Sequence, residues 1–198
     1  MTPLSPHTSF QEAQARTAAD RRSVGAEYLR QVRRGPRTTA IHDFRGRMSR
    51  LRLAAVALSL LPLLDLGEED ERVGVVLPPG QGGALVNMAL ALDGRCAVNL
   101  NHTTGAAQLA RMAQLAGIRS VISSRVYLER IGEPHLPGRL LLAEDLIPRL
   151  DKRRVLRNML RVLLLPPTWI DKGRAGQVLT IIFSSGTTGD PKGVQITH

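Results

Sequence analysis

The stretch Ser184-Ser185-Gly186-Thr187-Thr188-Gly189-Asp190-Pro191-Lys192-Gly193 decides the fold, and the short apolar run Val178-Leu179-Thr180-Ile181-Ile182-Phe183 leads directly into it. The run is rich in β-branched residues and reads as a buried strand. The residues after it suit a polyphosphate. Glycines let backbone N–H groups approach phosphate oxygens, hydroxyls donate hydrogen bonds, and one lysine supplies a point charge. The spacing is not that of the G-x-x-x-x-G-K-[ST] loop of nucleoside triphosphatases: Gly186 and Gly189 are three apart, and Gly193 follows Lys192 where that motif needs a hydroxyl for Mg²⁺. A G-x-S-x-G nucleophile elbow is excluded as well, because no glycine stands two residues before Ser184 or Ser185.

With hydroxyls, glycines, Pro191 and Lys192 in one register, the loop resembles the signature of the AMP-forming adenylate ligases, the family of acyl-CoA synthetases, luciferases and peptide-synthetase adenylation domains. Upstream, Arg72-Val73-Gly74-Val75-Val76-Leu77-Pro78 is similar to the first core strand of that family. Gly94-Arg95-Cys96-Ala97-Val98-Asn99-Leu100-Asn101 and Gly117-Ile118-Arg119-Ser120-Val121-Ile122-Ser123-Ser124-Arg125 are similar to the elements that follow. Together these resemble most the acyl-acyl carrier protein synthetase half of 2-acylglycerophosphoethanolamine acyltransferases.

The resemblance implies ATP and Mg²⁺, a carboxylic acid, expected to be fatty, that is activated as an acyl-adenylate, and coenzyme A or acyl carrier protein as the accepting thiol. It assigns Ser184, Ser185, Gly186, Thr187, Thr188, Gly189 and Gly193 to phosphate binding, and gives Lys192 the added catalytic role of neutralising the leaving pyrophosphate. It also implies an enzyme longer than this chain: a lead-in over residues 1–71, an α/β part over 72–198 ending in the loop, and a ligase truncated mid-domain and inactive alone. The alternative is a non-catalytic basic module that binds lipid or nucleic acid, and a third reading is a small phosphate-binding protein.

The composition is that of a globular chain, with 43% hydrophobic and 22% charged residues among 198. The formal net charge is +10, and Arg30, Arg33, Arg34, Arg37, Arg45, Arg47, Arg50 and Arg52 form a basic stretch relieved only by Asp43. With few aromatics to stack on bases, a nucleic-acid partner is not expected. The lone Cys96 sits in an apolar run and reads as a buried small hydrophobe. The five histidines show no ligand spacing, so no metal site is expected. The amino-terminal residues lack the pattern of a signal peptide, and a cytoplasmic protein in contact with membrane at most is expected.

The order of elements predicts parallel βαβ units. A capping box at Ser9-Phe10-Gln11-Glu12 predicts a helix towards Arg34, Thr38–Phe44 a strand, Gly46 a turn, and Ser49 the cap of a helix to about Leu61. Gly67–Glu71 is an acidic, solvated connection. Strand and helix then alternate: Val73–Leu77, Gln81–Leu92, Cys96–Leu100, Thr104–Ala116, Ile118–Ser123, Arg125–Ile131 and Arg139–Leu142. The segment Ile147–Leu165 predicts a basic amphipathic helix with Ile147, Leu150, Val155, Met159 and Leu163 on one side. That side is expected to dock on the sheet, with anionic lipid as the alternative.

Overall fold

The computed structural model describes residues 22–100, 105–184 and 191–198. The capping box at Ser9 lies outside them. The first described helix, α1 (Val24–Arg34), begins at Ser23, whose hydroxyl accepts from the Ala26 N–H. Strands β1 (Thr39–Asp43) and β2 (Gly46–Ser49) form an antiparallel hairpin that the sequence reading had only half seen. Gly46 is not the turn. It opens β2 at φ +99°, directly after the turn residues Phe44 and Arg45.

Helix α2 (Arg50–Leu64) is capped by Ser49 as expected, but it runs through Pro62 and stops two residues later. A proline removes one intrahelical donor and strains one turn; so near the end, little of the helix depends on that turn. The alternation then follows as β3 (Arg72–Val76), α3 (Gln81–Asp93), β4 (Cys96–Asn99), α4 (Ala106–Leu115), β5 (Ser120–Ser123), α5 (Arg125–Arg130) and β6 (Arg139–Leu142). A short helix α6 (Ala143–Leu146) and a 3₁₀ turn at Ile147–Arg149 precede α7 (Lys152–Leu164), capped by Asp151. Strands β7 (Val178–Ser184) and β8 (Lys192–Thr197) complete the described chain.

Six of the strands form one sheet in the order β6-β5-β3-β4-β7-β8, parallel throughout except for the β7/β8 hairpin. The fold is therefore α/β with a mostly parallel sheet. Both sheet faces carry a core. Val73 and Val75 of β3 point to one side, where Leu29, Leu60, Leu64, Leu90 and Leu92 of α1, α2 and α3 pack with Val162 of α7. Val76 and Val98 point to the other side, against Leu109 and Met112 of α4. Burial on both faces explains the near-continuous apolar strands, and each fully buried Leu contributes about 1.5–3 kcal/mol.

Three expectations are corrected here. The β7 run is not a buried strand: Ile181 is buried, but Ile182 is half-exposed and every residue of β8 is exposed. Ile181 joins the core beside α4, with Val178 and Phe183 packed against it, and the strand is otherwise only partly covered. Helix α7 does not dock on the sheet but lies on α2 and α1 in an outer layer. Its buried face holds Asn158 and Val162, and Ile147 and Leu150 fall outside it. Finally, the Gly67–Glu71 connection is not simply solvated. Asp70 is buried, its carboxylate accepts from the Gly67 N–H at 3.0 Å, and Arg95 donates to the Gly67 and Asp70 carbonyls at 2.7 Å each.

Candidate functional site

Strands β3, β4, β5 and β7 end on one edge of the sheet, the carboxyl edge at which open parallel sheets receive ligands. Strands β4 and β7 are parallel neighbours there. Of the predicted site residues, Ser185, Gly186, Thr187, Thr188 and Gly189 lie outside the described residues. The base of the loop is defined. Ser184 pairs with Lys192 across the β7/β8 ladder, so residues 185–191 close a hairpin whose stem is the last two strands.

Lys192 is exposed and pairs with Ser184 at the foot of the stem. Gly193 is placed differently, one residue on and facing the other way. It pairs with Phe183, and a Cβ there would stand 3.1 Å from Ile181 Cγ2 and 3.2 Å from Phe183 Cε1. The glycine thus lets the Phe183 ring lie against the stem.

The position of the loop strand is set by a polar cluster that the sequence reading missed. Asn87 of α3 and Asn99 of β4 exchange hydrogen bonds at 3.1 and 2.9 Å, the Asn99 amide also donates to Thr180 Oγ1 of β7 at 3.2 Å, and Thr180 donates to the Ala97 carbonyl at 2.6 Å. In a half-buried setting such a chain is satisfied in one strand register only, since a slip would leave amide groups unpaired. Asn99 is visible in the sequence as part of Asn-Leu-Asn; nothing marks Asn87 or Thr180 as its partners.

Helix amino termini attract anions, and those of α3, α4 and α5 follow strands at this edge. Two are already filled by carboxylates. Asp43 accepts from the Gln81 backbone N–H at 2.8 Å and from the Gln81 side chain at 2.9 Å at the start of α3. Those backbone and side-chain donors hold the Asp43 carboxyl below its usual range. Glu144 accepts from the Arg125 and Val126 N–H groups at 2.9 and 3.4 Å at the start of α5. Partial burial pushes the Glu144 carboxyl up, but those N–H groups and the Arg125 charge outweigh it and hold the group low. The start of α4, next in the chain after β4, has Gly105 at its cap position and no side-chain cap. Phosphate is therefore disfavoured by carboxylates at α3 and α5, and not at the β4/β7 position.

Other expectations resolve simply. Cys96 is buried, and burial raises its thiol pKa, so it is a packing residue. A cavity lined by Lys172, Arg174, Ala175 and Gln177 opens at the amino end of β7, opposite the loop. Among the described residues no group of three His, Cys, Asp or Glu could hold a metal ion. At the carboxyl edge Asp43 and Glu144 are engaged as helix caps, so the described residues do not offer a Mg²⁺ ligand set.

This mostly parallel sheet, closed at one side by an antiparallel hairpin, is the setting in which the model of the AMP-binding enzyme family matches residues 29–198. The chain belongs to that family. Among solved structures it is similar to VinN (21% identity, TM-score 0.68, 90% of this chain and 47% of that one). It is also similar to the nonribosomal peptide synthetase FmoA3 bound to alpha-methyl-L-serine-AMP (19% identity, TM-score 0.66, 90% and 18%). A third is the inhibitor-bound N-terminal domain of FACL13 from Mycobacterium tuberculosis (22% identity, TM-score 0.66, 89% and 45%). The chain thus spans less than half the length of these proteins.

Proposed function

We propose that the chain is the loop-bearing amino-terminal part of an ATP-dependent acid–thiol ligase. A carboxylate oxygen of the acid attacks the α-phosphorus of ATP, and the bond to the β-phosphate oxygen breaks, giving an acyl-adenylate and pyrophosphate. A thiolate of coenzyme A or an acyl carrier protein then attacks the acyl carbon, and AMP leaves. The observation that carries this reading is the Ser/Thr/Gly run closed at its base by the Ser184–Lys192 pair, on a strand held in register by Asn99 and Thr180.

In this proposal Ser184, Ser185, Thr187 and Thr188 donate to the β- and γ-phosphates, Gly186 and Gly189 permit close backbone approach, and Lys192 neutralises the charge that grows on the leaving pyrophosphate. Gly193 acts from the stem, where the absence of a side chain seats Phe183. Mg²⁺ would come with ATP and find its ligands in the longer protein. The division into a lead-in over 1–71 and a loop-bearing part over 72–198 belongs to the same proposal. A long-chain fatty acid is the proposed substrate, supported by the resemblance of the Asn99-Leu100-Asn101 region to acyl carrier protein synthetases. The VinN and FmoA3 structures hold 3-methylaspartate and alpha-methyl-L-serine-AMP, so an amino acid is the competing substrate class for the assay.

Lys192→Ala tests the site. In the longer enzyme it should slow the pyrophosphate-forming half-reaction about tenfold more than thiol transfer, the loss expected for one electrostatic donor. Equal adenylation by variant and parent would withdraw the loop assignment. The 198-residue chain alone should be silent in ATP–pyrophosphate exchange with fatty acids; robust exchange would refute its dependence on the remainder.

A further inference from the structure

Helix α7 is apolar on two sides, and the structure uses only one. Val162 and Asn158 face inward, with Val155 and Met159 half-buried beside them. On the outside, Leu156 (61% exposed), Leu160 (53%), Leu163 (39%) and Leu164 (74%) recur at four, three and one residues. At 100° per residue they make one stripe about 100° wide. The same helix holds Lys152, Arg153, Arg154, Arg157 and Arg161 and no carboxylate. Among the described residues none of these five cations forms an ion pair. Just beyond the helix, past Pro166, Trp169 is 73% exposed.

We infer that the outward face of α7 is a docking surface for an anionic lipid bilayer, with the leucine stripe seated at the acyl boundary and the arginines on the lipid phosphates. Charge decides among the occupants. A second copy of α7 would set five uncompensated cations against five more, which is repulsive. Nucleic acid would pair the arginines but leave four leucines in water. An anionic membrane satisfies both groups at once: the leucines leave water, while the flexible arginine stems carry their heads to the phosphates. The helix lies in the interface and does not cross it, since no helix of the described residues is long and apolar enough to span a membrane. The inference is independent of the ATP chemistry.

Trp169 is the one tryptophan of the chain and reports the contact directly. The 198-residue protein should co-sediment with phosphatidylglycerol vesicles at low salt and far less with phosphatidylcholine vesicles. Its tryptophan emission should shift to the blue and be quenched by brominated acyl chains. The double substitution Leu160→Ser with Leu164→Ser should lower partitioning about tenfold or more. Arg157→Ser should lower it about fivefold. Both leucines are exposed, so unchanged circular dichroism and urea midpoint verify that the fold survives. The inference is overturned by no binding to phosphatidylglycerol, or by binding that the leucine pair leaves unchanged. It is equally overturned by tighter binding to a DNA duplex than to the vesicles, or by a protein dimer that the leucine pair dissolves.

Discussion

Removing the hydroxyl of Ser59 should destabilise the protein more than removing the entire amide of its partner Asn158. The two side chains join α2 to α7 across a buried contact: Asn158 Nδ2 donates to Ser59 Oγ at 2.9 Å, and both residues are buried. Ser59 in turn donates to the Ala55 carbonyl at 2.7 Å, and Asn158 Oδ1 accepts from Arg161 at 3.2 Å. In Ser59→Ala the amide N–H₂ of Asn158 stays buried and loses its acceptor, a loss of about 1–3 kcal/mol. The better helix propensity of alanine returns at most about 0.5 kcal/mol. In Asn158→Leu both amide atoms go, Ser59 keeps its bond to Ala55, and the Arg161 head returns to water, so the change should stay within about 1 kcal/mol of the parent. The double variant should match Asn158→Leu, giving a coupling of about 1–2 kcal/mol. Urea unfolding at constant m reads all four proteins. The reasoning is refuted if Ser59→Ala costs less than about 0.3 kcal/mol, or if Asn158→Leu is the more damaging single change.

Two further outcomes follow from the same geometry. The His198 imidazole, which accepts from the Val24 N–H at 3.2 Å, is shifted down by burial against the pull of Asp171. Its neutral form supports the fold, so that contribution is present above the unfolded value of about 6.5 and is lost as pH falls below it. Asp171, raised by burial although the Ser23 hydroxyl works against the rise, has the opposite sign: its contribution is present below the unfolded value of about 3.9 and lost as pH rises through the raised one. Urea midpoints between pH 7.5 and 5.5 should therefore fall in the parent and fall less in His198→Gln; equal slopes would disprove the assignment. Gly138→Ala should cost about 3 kcal/mol or more, because at φ +86° its Cβ would meet the Arg119 carbonyl oxygen, which accepts from the Arg139 N–H at 2.7 Å. Gly176→Ala, at φ +82° with nothing within 4 Å, should cost only about 1 kcal/mol, and similar thermal shifts for the two would contradict the steric argument.

Much of the molecule was legible because its signals are local. Ser49 caps α2 through its own side chain three residues on, and the apolar runs at β3, β4 and β5 announce strands of a core sheet. The family, too, is legible in the sequence, whose match to the AMP-binding enzyme model covers residues 29–198. What the chain alone could not decide is every choice between equivalents. Helix α7 carries apolar residues around more than half its circumference, and only the presence of α2 and α1 determines that Val162 and Asn158 turn inward while Leu156, Leu160 and Leu164 remain outside. The strand at Ile181 looks as buried as β3 by composition, yet its exposure depends on what stands over it. Asn87, Asn99 and Thr180 are 12 and 81 residues apart in their pairings, and Lys192 reaches Ser184 only when β8 folds back on β7. Periodicity reports which surfaces are apolar; which apolar surface wins a partner is a competition between distant segments, and packing in three dimensions settles it.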